Sequence, residues 1–479
     1  MSAVKNFKIS ISYPPLESPK GTPFLSQNRQ FQWTNTNNVI YPVVPAQAAT
    51  LLSQNGYQVF WDDAIAQNLT YQQWLSRIIN QKPDLIALET KTPVIKKHWR
   101  IIDTIKNRLP KATIILMGDH VTALPQESLK HSKVDYVLTG GDYDFMLLSL
   151  ANHLTKKQKL EPGFYTSKSN TGKFTLHHNL DQLPLIDRQL TQWHLYSRHN
   201  TNYKYRPGAY IMSARDCWWG KCTFCSWTTL YPSFRTFSVN HTLQEINHLV
   251  SLGVKEVFDD AGTIPVGPWL NDFCHQLIKL NQKIKISCNL RFSALNQKQY
   301  QLLSQAGFRL LLYGLESANQ NTIAKLKKNI QVRSIKNELS WAKKAGLEPH
   351  LTVMIGYPWE SLSDATNTLN FSRQLFKDGL VNSLQATIVI PYPGTPLFDH
   401  CQKNKLLLSQ DWDDYDMRQP VIKSPLSHLQ QQALINSLFK SAWQPKFLLR
   451  QVLSIRSFDD LRHLATYAVK FLQKLRDFS

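Results

Sequence analysis

The sequence predicts an α/β protein in three folded parts: a doubly wound parallel sheet over residues 1–150, a partial (β/α)6 barrel over 209–420 and a basic helical region over 421–479. Three observations carry that expectation. Through the first 150 residues short apolar runs alternate with amphipathic stretches, the rhythm of a parallel sheet with helices on both faces. From residue 209 the alternation returns in six longer units, three-quarters of a full barrel. Between the two, residues 151–208 form a linker that includes the charged, turn-rich KKQKLEPGFYTSKSNTGKF, a composition also suited to a small hairpin excursion.

In the first part, strands are expected at KISIS (8–12), YQVFW (57–61), LIALE (85–89), TIILMG (113–118) and DYVLTGG (135–141). PAQAATLLSQNG (45–56) and KKHWRIIDTIKNRLP (96–110) read as helices between them, the first stopped at Gly56, because glycine accepts the left-handed conformation that ends a helix. Ligands of such sheets lie beyond the carboxyl ends of the strands. Here those ends are YPP (13–15), ETKTP (89–93), GDH (118–120) and TGGD (139–142).

LPLIDRQLTQWHLYS (183–197) reads as a segment packed against something larger. Barrel strands are expected at AYIMSA (209–214), VKEVFDD (254–260), KIKISCN (283–289), RLLLYGLE (309–316), PHLTVMIG (349–356) and SLQATIVIP (383–391). Helical stretches such as TLQEINHLVSLG (242–253) and RSIKNELSWAKKAG (333–346) separate them, each ending in glycine. Beyond PYPGTPLF (391–398) the chain turns helical and basic, with eight Lys/Arg against three Asp in residues 440–479. In SFDDLRHLATYAVKFLQKL (457–475), Ser457 and Asp460 have capping-box spacing. Its apolar stripe runs through Leu461, Leu464, Ala465, Ala468, Leu472 and Leu475.

The 479 residues carry 55 Lys/Arg against 34 Asp/Glu, a formal net charge of +21. Such a surplus attracts phosphate, anionic lipid or acidic partners. No RNA-binding motif accompanies it, and aromatic residues are not interleaved with the basic runs, so nucleic acid is not an expected partner. No apolar run approaches the ~20 residues of a membrane span, and the amino terminus lacks the apolar stretch of a secretion signal. Six cysteines in so long a chain do not make a disulfide framework. A reducing cytoplasm is the expected compartment.

Three of the six thiols fall within CWWGKCTFC (217–225), on the loop after the first barrel strand, where barrels keep their chemistry. Cys217, Cys222 and Cys225 stand at C-x4-C-x2-C spacing. Three thiolates leave a structural zinc ion one ligand short; a distant histidine could complete it, with His194 and His199 upstream. They also leave a four-iron cluster, normally held by four cysteines, with an open iron that can chelate a substrate or cofactor. Unrelated buried thiols are the remaining reading, and the one adopted for Cys274, Cys288 and Cys401, which sit in separate elements.

CWWGKCTFCSW, with the aromatic Phe224 before the last cysteine, resembles the cluster loop of the radical S-adenosylmethionine superfamily. The resemblance implies that Cys217, Cys222 and Cys225 hold a [4Fe-4S] cluster whose open iron binds the amino and carboxylate groups of S-adenosylmethionine. The electron passed to that cofactor, supplied by a donor such as flavodoxin or ferredoxin, splits it into a 5′-deoxyadenosyl radical that takes hydrogen from an unactivated carbon. Later strand ends acquire cofactor-binding roles in the same way. Asp259 and Asp260 in VFDDAGT would meet the cofactor's amino group or the substrate, and Arg291 in CNLRFS a carboxylate through its fork of donors. Glu316 and Ser317 in YGLES would meet the ribose hydroxyls, and Gly356 in MIGYPWES would lie beside the adenine. No second cysteine trio exists, which argues against the methylthiotransferase branch.

The sheet ahead of the barrel resembles the cobalamin-binding domain of cobalamin-dependent radical enzymes. Over roughly residues 39–460 the order of motifs is similar to the group containing the anaerobic magnesium-protoporphyrin monomethyl ester cyclase and hopanoid-modifying enzymes; ETKTP, MGDHVTALPQESL, VDYVLTGGDYDF and PYPGTPLF carry it. The resemblance implies cobalamin near the loops holding Thr90, Thr92, Gly118, His120, Gly140 and Gly141. The Asp-x-His-x-x-Gly signature of an axial histidine is absent, and His120 lacks its spacing. With cobalamin, the implied reaction is methyl transfer to an unreactive carbon of a small molecule or lipid. With a relic domain that only shapes the cavity, it is radical cyclisation, oxidation or rearrangement. A zinc- or cofactor-binding protein without chemistry is the rival class. The basic C-terminal helices either cap the open side of the barrel or touch an anionic membrane surface.

Overall fold

Six strands form the first sheet in the computed structural model, which describes residues 6–23, 25, 31–34, 38–440, 455, 457–462 and 464–466. They are β1 Lys8–Tyr13, β2 Gln58–Asp63, β3 Leu85–Thr90, β4 Thr113–Gly118, β5 Tyr136–Leu138 and β6 Phe164–Tyr165. The order is β2-β1-β3-β4-β5-β6, parallel except for the edge strand β6. β3 is buried at every position, as a central parallel strand covered on both faces must be. Among the described residues, six α-helices accompany the sheet: α1 Val43–Gln54, α2 Tyr71–Gln81, α3 Ile95–Arg108, α4 Asp119–Ala123, α5 Pro125–His131 and α6 Tyr143–Lys156. α1 stops just before Gly56, at φ +87, as its sequence requires, and α2 starts on a complete Thr70/Gln73 capping box. The order reverses between β1 and β3, which opens a crevice at their carboxyl ends.

The second sheet has six parallel strands: β7 Gly208–Ile211, β8 Glu256–Asp259, β9 Lys285–Leu290, β10 Phe308–Glu316, β11 Glu348–Ile355 and β12 Ser383–Ile388. They run in sequence order, with β7 and β12 at the two edges and not paired to each other, so the barrel stays open. Helices α7 Trp227–Leu230, α8 Val239–Ser251, α9 Pro268–Leu280, α10 Gln297–Gln305, α11 Gln320–Lys325, α12 Ile335–Lys344 and α13 Leu362–Lys377 connect them. α8 begins on Ser238, whose side chain accepts from the His241 N–H, and both α8 and α12 end at left-handed glycines, Gly253 and Gly346. Cys274 and Cys288 are buried in the barrel core and Cys401 in a core continuous with the first sheet. That second core also takes in Tyr210, Trp227 and Tyr357 of the barrel, so the two sheets pack as one body.

The stretch 151–208 carries a small hairpin at the edge of the first sheet. α6 runs on to Lys156, β6 pairs antiparallel with β5, and the chain doubles back through a Tyr165–Asn170 bridge. β5 is shorter than the expected 135–141 because Gly140 adopts φ +83 and leaves the extended conformation. Further on, Arg188 is 1% exposed, pairs with Glu245 of α8 and lies 4.7 Å over the Tyr41 ring.

After the barrel come α14 Pro396–Lys403 and α15 His428–Lys440. Leu426, Ile435 and Leu438 join the barrel core, so the start of the C-terminal region covers the barrel. Ser457 Oγ accepts the Asp460 N–H at 3.2 Å, as its spacing predicts, and Asp460 pairs with Lys204 at 2.6 Å. The stripe residues Ala468, Leu472 and Leu475 lie outside the described residues. No helix among the described residues is long and apolar enough to cross a membrane.

Candidate active site between two sets of strand ends

Beyond β7, Ala214–Arg215 pairs antiparallel with Arg235–Thr236, and this ribbon carries the cysteine loop. Thr223 pins the loop's centre: its N–H donates to Leu326 O at 3.1 Å and its carbonyl accepts the Leu397 N–H at 2.9 Å. Gly262, in the turn after β8, closes on the loop's start. Its N–H donates to Asp216 Oδ1 at 2.6 Å, and a Cβ there would stand 2.7 Å from Cys217 Cβ. Among the described residues, a single group brings three His, Cys, Asp or Glu donor atoms within 4.8 Å of one another, and it is Glu161, His177 and His178. The three half-buried thiols are therefore spread more widely than one zinc ion, bound ~2.3 Å from each sulfur, would draw them. His194 and His199 are exposed. The donor set fits a larger, polynuclear cluster.

Burial pushes the Cys222 thiol up to about 11, while the Lys328 ammonium pulls it down. Lys328 is buried too; burial alone would lower its pKa, but Glu316 Oε1 at 2.7 Å raises it. Its ammonium lies 5.8 Å over the Phe224 ring. Glu316 ends β10 at φ +65. Ser317 points elsewhere: its hydroxyl meets Thr368 Oγ1 at 3.2 Å and accepts the Asn319 N–H at 3.1 Å. Arg291 does not offer an open fork either. Its Nη2 donates to the carbonyls of Lys328 and Asn329 and its Nη1 to Phe292 O, with the guanidinium 4.1 Å over Trp219.

Asp259 accepts from the N–H and hydroxyl of Ser213 and from the Ala261 N–H, which locks the ends of β7 and β8 together. Asp260 is buried beside it, its N–H bonded to Ile211 O. Gly356, at φ +92, donates its N–H to Glu360 Oε2 at 2.7 Å. Burial raises Glu360 to about 7. Burial, then the charges of Glu316, Glu360 and Cys222, hold the Tyr357 hydroxyl well above its usual range. Tyr357 Oη, Arg291 Nε and Trp218 Nε1 are buried and have no hydrogen-bond partner among the described residues. Such atoms are what a polar ligand would satisfy.

The carboxyl ends of the first sheet stand opposite. Ser226, next to Cys225, donates to Asp119 Oδ2 at 3.0 Å, and Tyr231 Oη donates to Gly141 O at 2.8 Å. Arg215 is fully buried between Asp144 at 2.8 Å and Asp142 at 3.7 Å, and Arg235 also holds Asp142. Thr90 Oγ1 meets His98 Nδ1, and Thr92 Oγ1 meets His120 Nδ1. His120 Nε2 meets Glu127 Oε2 at 2.8 Å, so neither ring nitrogen is left for a metal. The glycines are packing residues here: a Cβ would strike Thr90 O from Gly118, the Phe174 ring from Gly140 and the Tyr231 ring from Gly141.

A buried polar row escaped the sequence reading. Tyr13 Oη donates to Glu89 Oε2 and Tyr196 Oη to Asp63 Oδ2, both at 2.5 Å. Burial raises Glu89 to about 7 and Asp63 to about 6. Tyr143 Oη is buried without a hydrogen-bond partner among the described residues. The signal was present, as an acid closing an otherwise apolar strand in LIALE and VFWDD. Lys328 had none; it is one lysine of three in AKLKKN.

Residues 211–372 match the family model described as the radical SAM superfamily. An uncharacterized methyltransferase of Pyrococcus horikoshii is 24% identical over 411 residues, covering 83% of this chain and 86% of the relative. The anaerobic magnesium-protoporphyrin IX monomethyl ester cyclase of Rubrivivax gelatinosus is 22% identical over 402 residues, covering 80% and 70%. Among solved structures, the cobalamin-dependent S-adenosylmethionine radical enzyme OxsB, with aqua-cobalamin and S-adenosylmethionine bound, aligns with a TM-score of 0.71 at 14% identity over 98% of this chain and 71% of its own. At that identity the likeness concerns the fold, a parallel sheet followed by an open barrel.

Proposed function

We propose that this chain, a radical S-adenosylmethionine enzyme, transfers a methyl group with the help of cobalamin to an unactivated carbon of a small-molecule or lipid substrate. The observation that carries the reading is the meeting of two sets of strand ends. The cysteine loop after β7 is bonded through Ser226 to Asp119 at the end of β4, so both customary ligand positions open on one interior. In this reading residues 1–150 form the cobalamin domain, 209–420 the radical barrel and 421–479 its cover.

Cys217, Cys222 and Cys225 would hold the [4Fe-4S] cluster, and Asp260, Glu316, Gly356 and Tyr357 the S-adenosylmethionine. Tyr143 and Glu89 suit the amide side chains of cobalamin, since a neutral carboxyl both donates and accepts. When bound, these groups supply the electron that cleaves S-adenosylmethionine to a 5′-deoxyadenosyl radical, and a transferable methyl. The chain's own residues do the placing. Gly262 and Thr223 fix the loop that presents the thiols. Lys328 sets a positive charge beside Cys222, which favours the thiolate needed for ligation. Arg291, laid over Trp219 and bonded to the Lys328 and Asn329 carbonyls, covers the loop. Flavodoxin or ferredoxin fits as the electron donor.

Anaerobic reconstitution tests the reading. About four irons per chain and 5′-deoxyadenosine from S-adenosylmethionine are expected, and Cys217→Ala, Cys222→Ala and Cys225→Ala should each abolish the latter. Undiminished cleavage in any of the three would overturn the ligand assignment. Hydroxocobalamin retained through desalting supports methyl transfer; a chain that keeps none is left with radical cyclisation or rearrangement.

A further inference from the structure

Away from the cysteine loop, the hairpin after β6 gathers a second set of metal-type donors. His177 and His178 follow its returning strand and turn both rings onto Glu161. His178 Nε2 lies 3.0 Å from Glu161 Oε2 and His177 Nε2 3.9 Å from the same oxygen. The rings stand 4.2 Å apart. Behind them, His177 Nδ1 meets Thr175 Oγ1 at 2.9 Å, while His178 Nδ1 lies 3.5 Å from Asp142 Oδ2 and makes no hydrogen bond among the described residues. Phe145 stacks on His178, at 4.2 Å and 4°. Metal-bound imidazoles are held as His177 is, with one nitrogen toward the ion and the other oriented by an oxygen.

We propose that Glu161, His177 and His178 bind a divalent cation of the zinc type through one carboxylate oxygen and two imidazole Nε2 atoms, with water completing the four-coordinate shell. An ion pair accounts for only half of the arrangement. His178 Nε2 alone lies within hydrogen-bond reach of Glu161 Oε2. His177 is aimed at the same oxygen from 3.9 Å, beyond hydrogen-bond reach, with the tilted His178 ring beside it. A divalent ion reconciles both rings with the carboxylate. The nitrogen and oxygen donors favour zinc over softer, thiolate-seeking ions. Asp142 also holds Arg235, whose strand pairs with the one carrying the cysteine loop.

The proposal stands apart from the radical reaction and can be tested without it. Holoenzyme with its cluster assembled, so that the thiols are engaged, is incubated with zinc sulfate, desalted and assayed for zinc and iron. About one zinc per chain beyond the iron is expected. His177→Ala is the clean variant because that side chain is 61% exposed, so the fold does not need it. It should lower zinc affinity at least ten-fold with an unchanged circular dichroism spectrum, and Glu161→Gln should weaken binding as well. Cobalt(II) should give the visible bands of a four-coordinate site in the parent and not in His177→Ala. Zinc bound equally well by His177→Ala, zinc lost only with Cys217→Ala, or a parent that retains none would each overturn the proposal.

Discussion

Replacing Gly262 with alanine would put a methyl carbon 2.7 Å from Cys217 Cβ and 2.5 Å from Asp216 Oδ2. Carbon atoms pack comfortably at about 3.5–4.0 Å, so the first thiol-bearing residue must retreat by roughly 1 Å. The Asp216 carboxylate can swing aside, but its other oxygen holds the Gly262 N–H at 2.6 Å, and that bond would be strained too. Overpacking of this kind costs about 1–3 kcal/mol, which a chain of this size can absorb. At a catalytic centre, however, a displacement of about 1 Å can cost roughly 100-fold in rate. Gly262→Ala should therefore fold, yet lose about 10–100-fold in 5′-deoxyadenosine formation, with iron occupancy falling if the thiols no longer converge. The assay is anaerobic reconstitution, iron per chain and single-turnover product by chromatography. Gly253→Ala is the control: it sits at φ +82 with nothing within 4 Å of its Cβ, so it pays only local backbone strain. Full iron and an undiminished rate in Gly262→Ala would refute the claim that this close approach sets the loop.

Two further outcomes follow from buried charges. Lys328→Met leaves the Glu316 carboxylate buried without its 2.7 Å partner, which should cost about 3–5 kcal/mol in denaturant titration. Adding Glu316→Gln should restore most of that stability but no S-adenosylmethionine cleavage; a double variant no more stable than the single one would refute the pairing. Glu360 binds its proton more tightly folded, at about 7, than unfolded, at about 4.3. Its contribution therefore favours the fold fully below about pH 4 and is lost as pH rises to about 7, a change of about 3 kcal/mol. Glu360→Gln should flatten that decline between pH 5 and 8, and an unchanged slope would show that Glu360 is not the group responsible.

All the expected strands of both sheets exist, because alternation and helix stops are short-range properties that any window of the chain displays. Gly56, Gly253 and Gly346 end helices where the sequence put them. β6 itself was not legible because it is two residues long and exists only through its pairing with β5. Among the candidate site residues, the cysteine trio was legible since its spacing is itself the signal. The loop residues around it were legible as positions, but their hydrogen-bond partners were not. Ser317, Asp259 and His120 bond neighbouring protein groups, whereas Arg291 gives both Nη atoms to carbonyls and keeps Nε without a hydrogen-bond partner among the described residues.

What the linear sequence determined is local: where strands and helices begin and end, and that three thiols share one loop on the chemical side of a barrel. Tertiary structure alone decided which polar groups are already satisfied, because a hydrogen bond depends on distance in space and not along the chain. Ser226 finds Asp119 across 107 residues and Tyr13 finds Glu89 across 76. Folding likewise turned Lys328 and Glu316 into a buried pair beside Cys222, and two adjacent histidines into donors around Glu161.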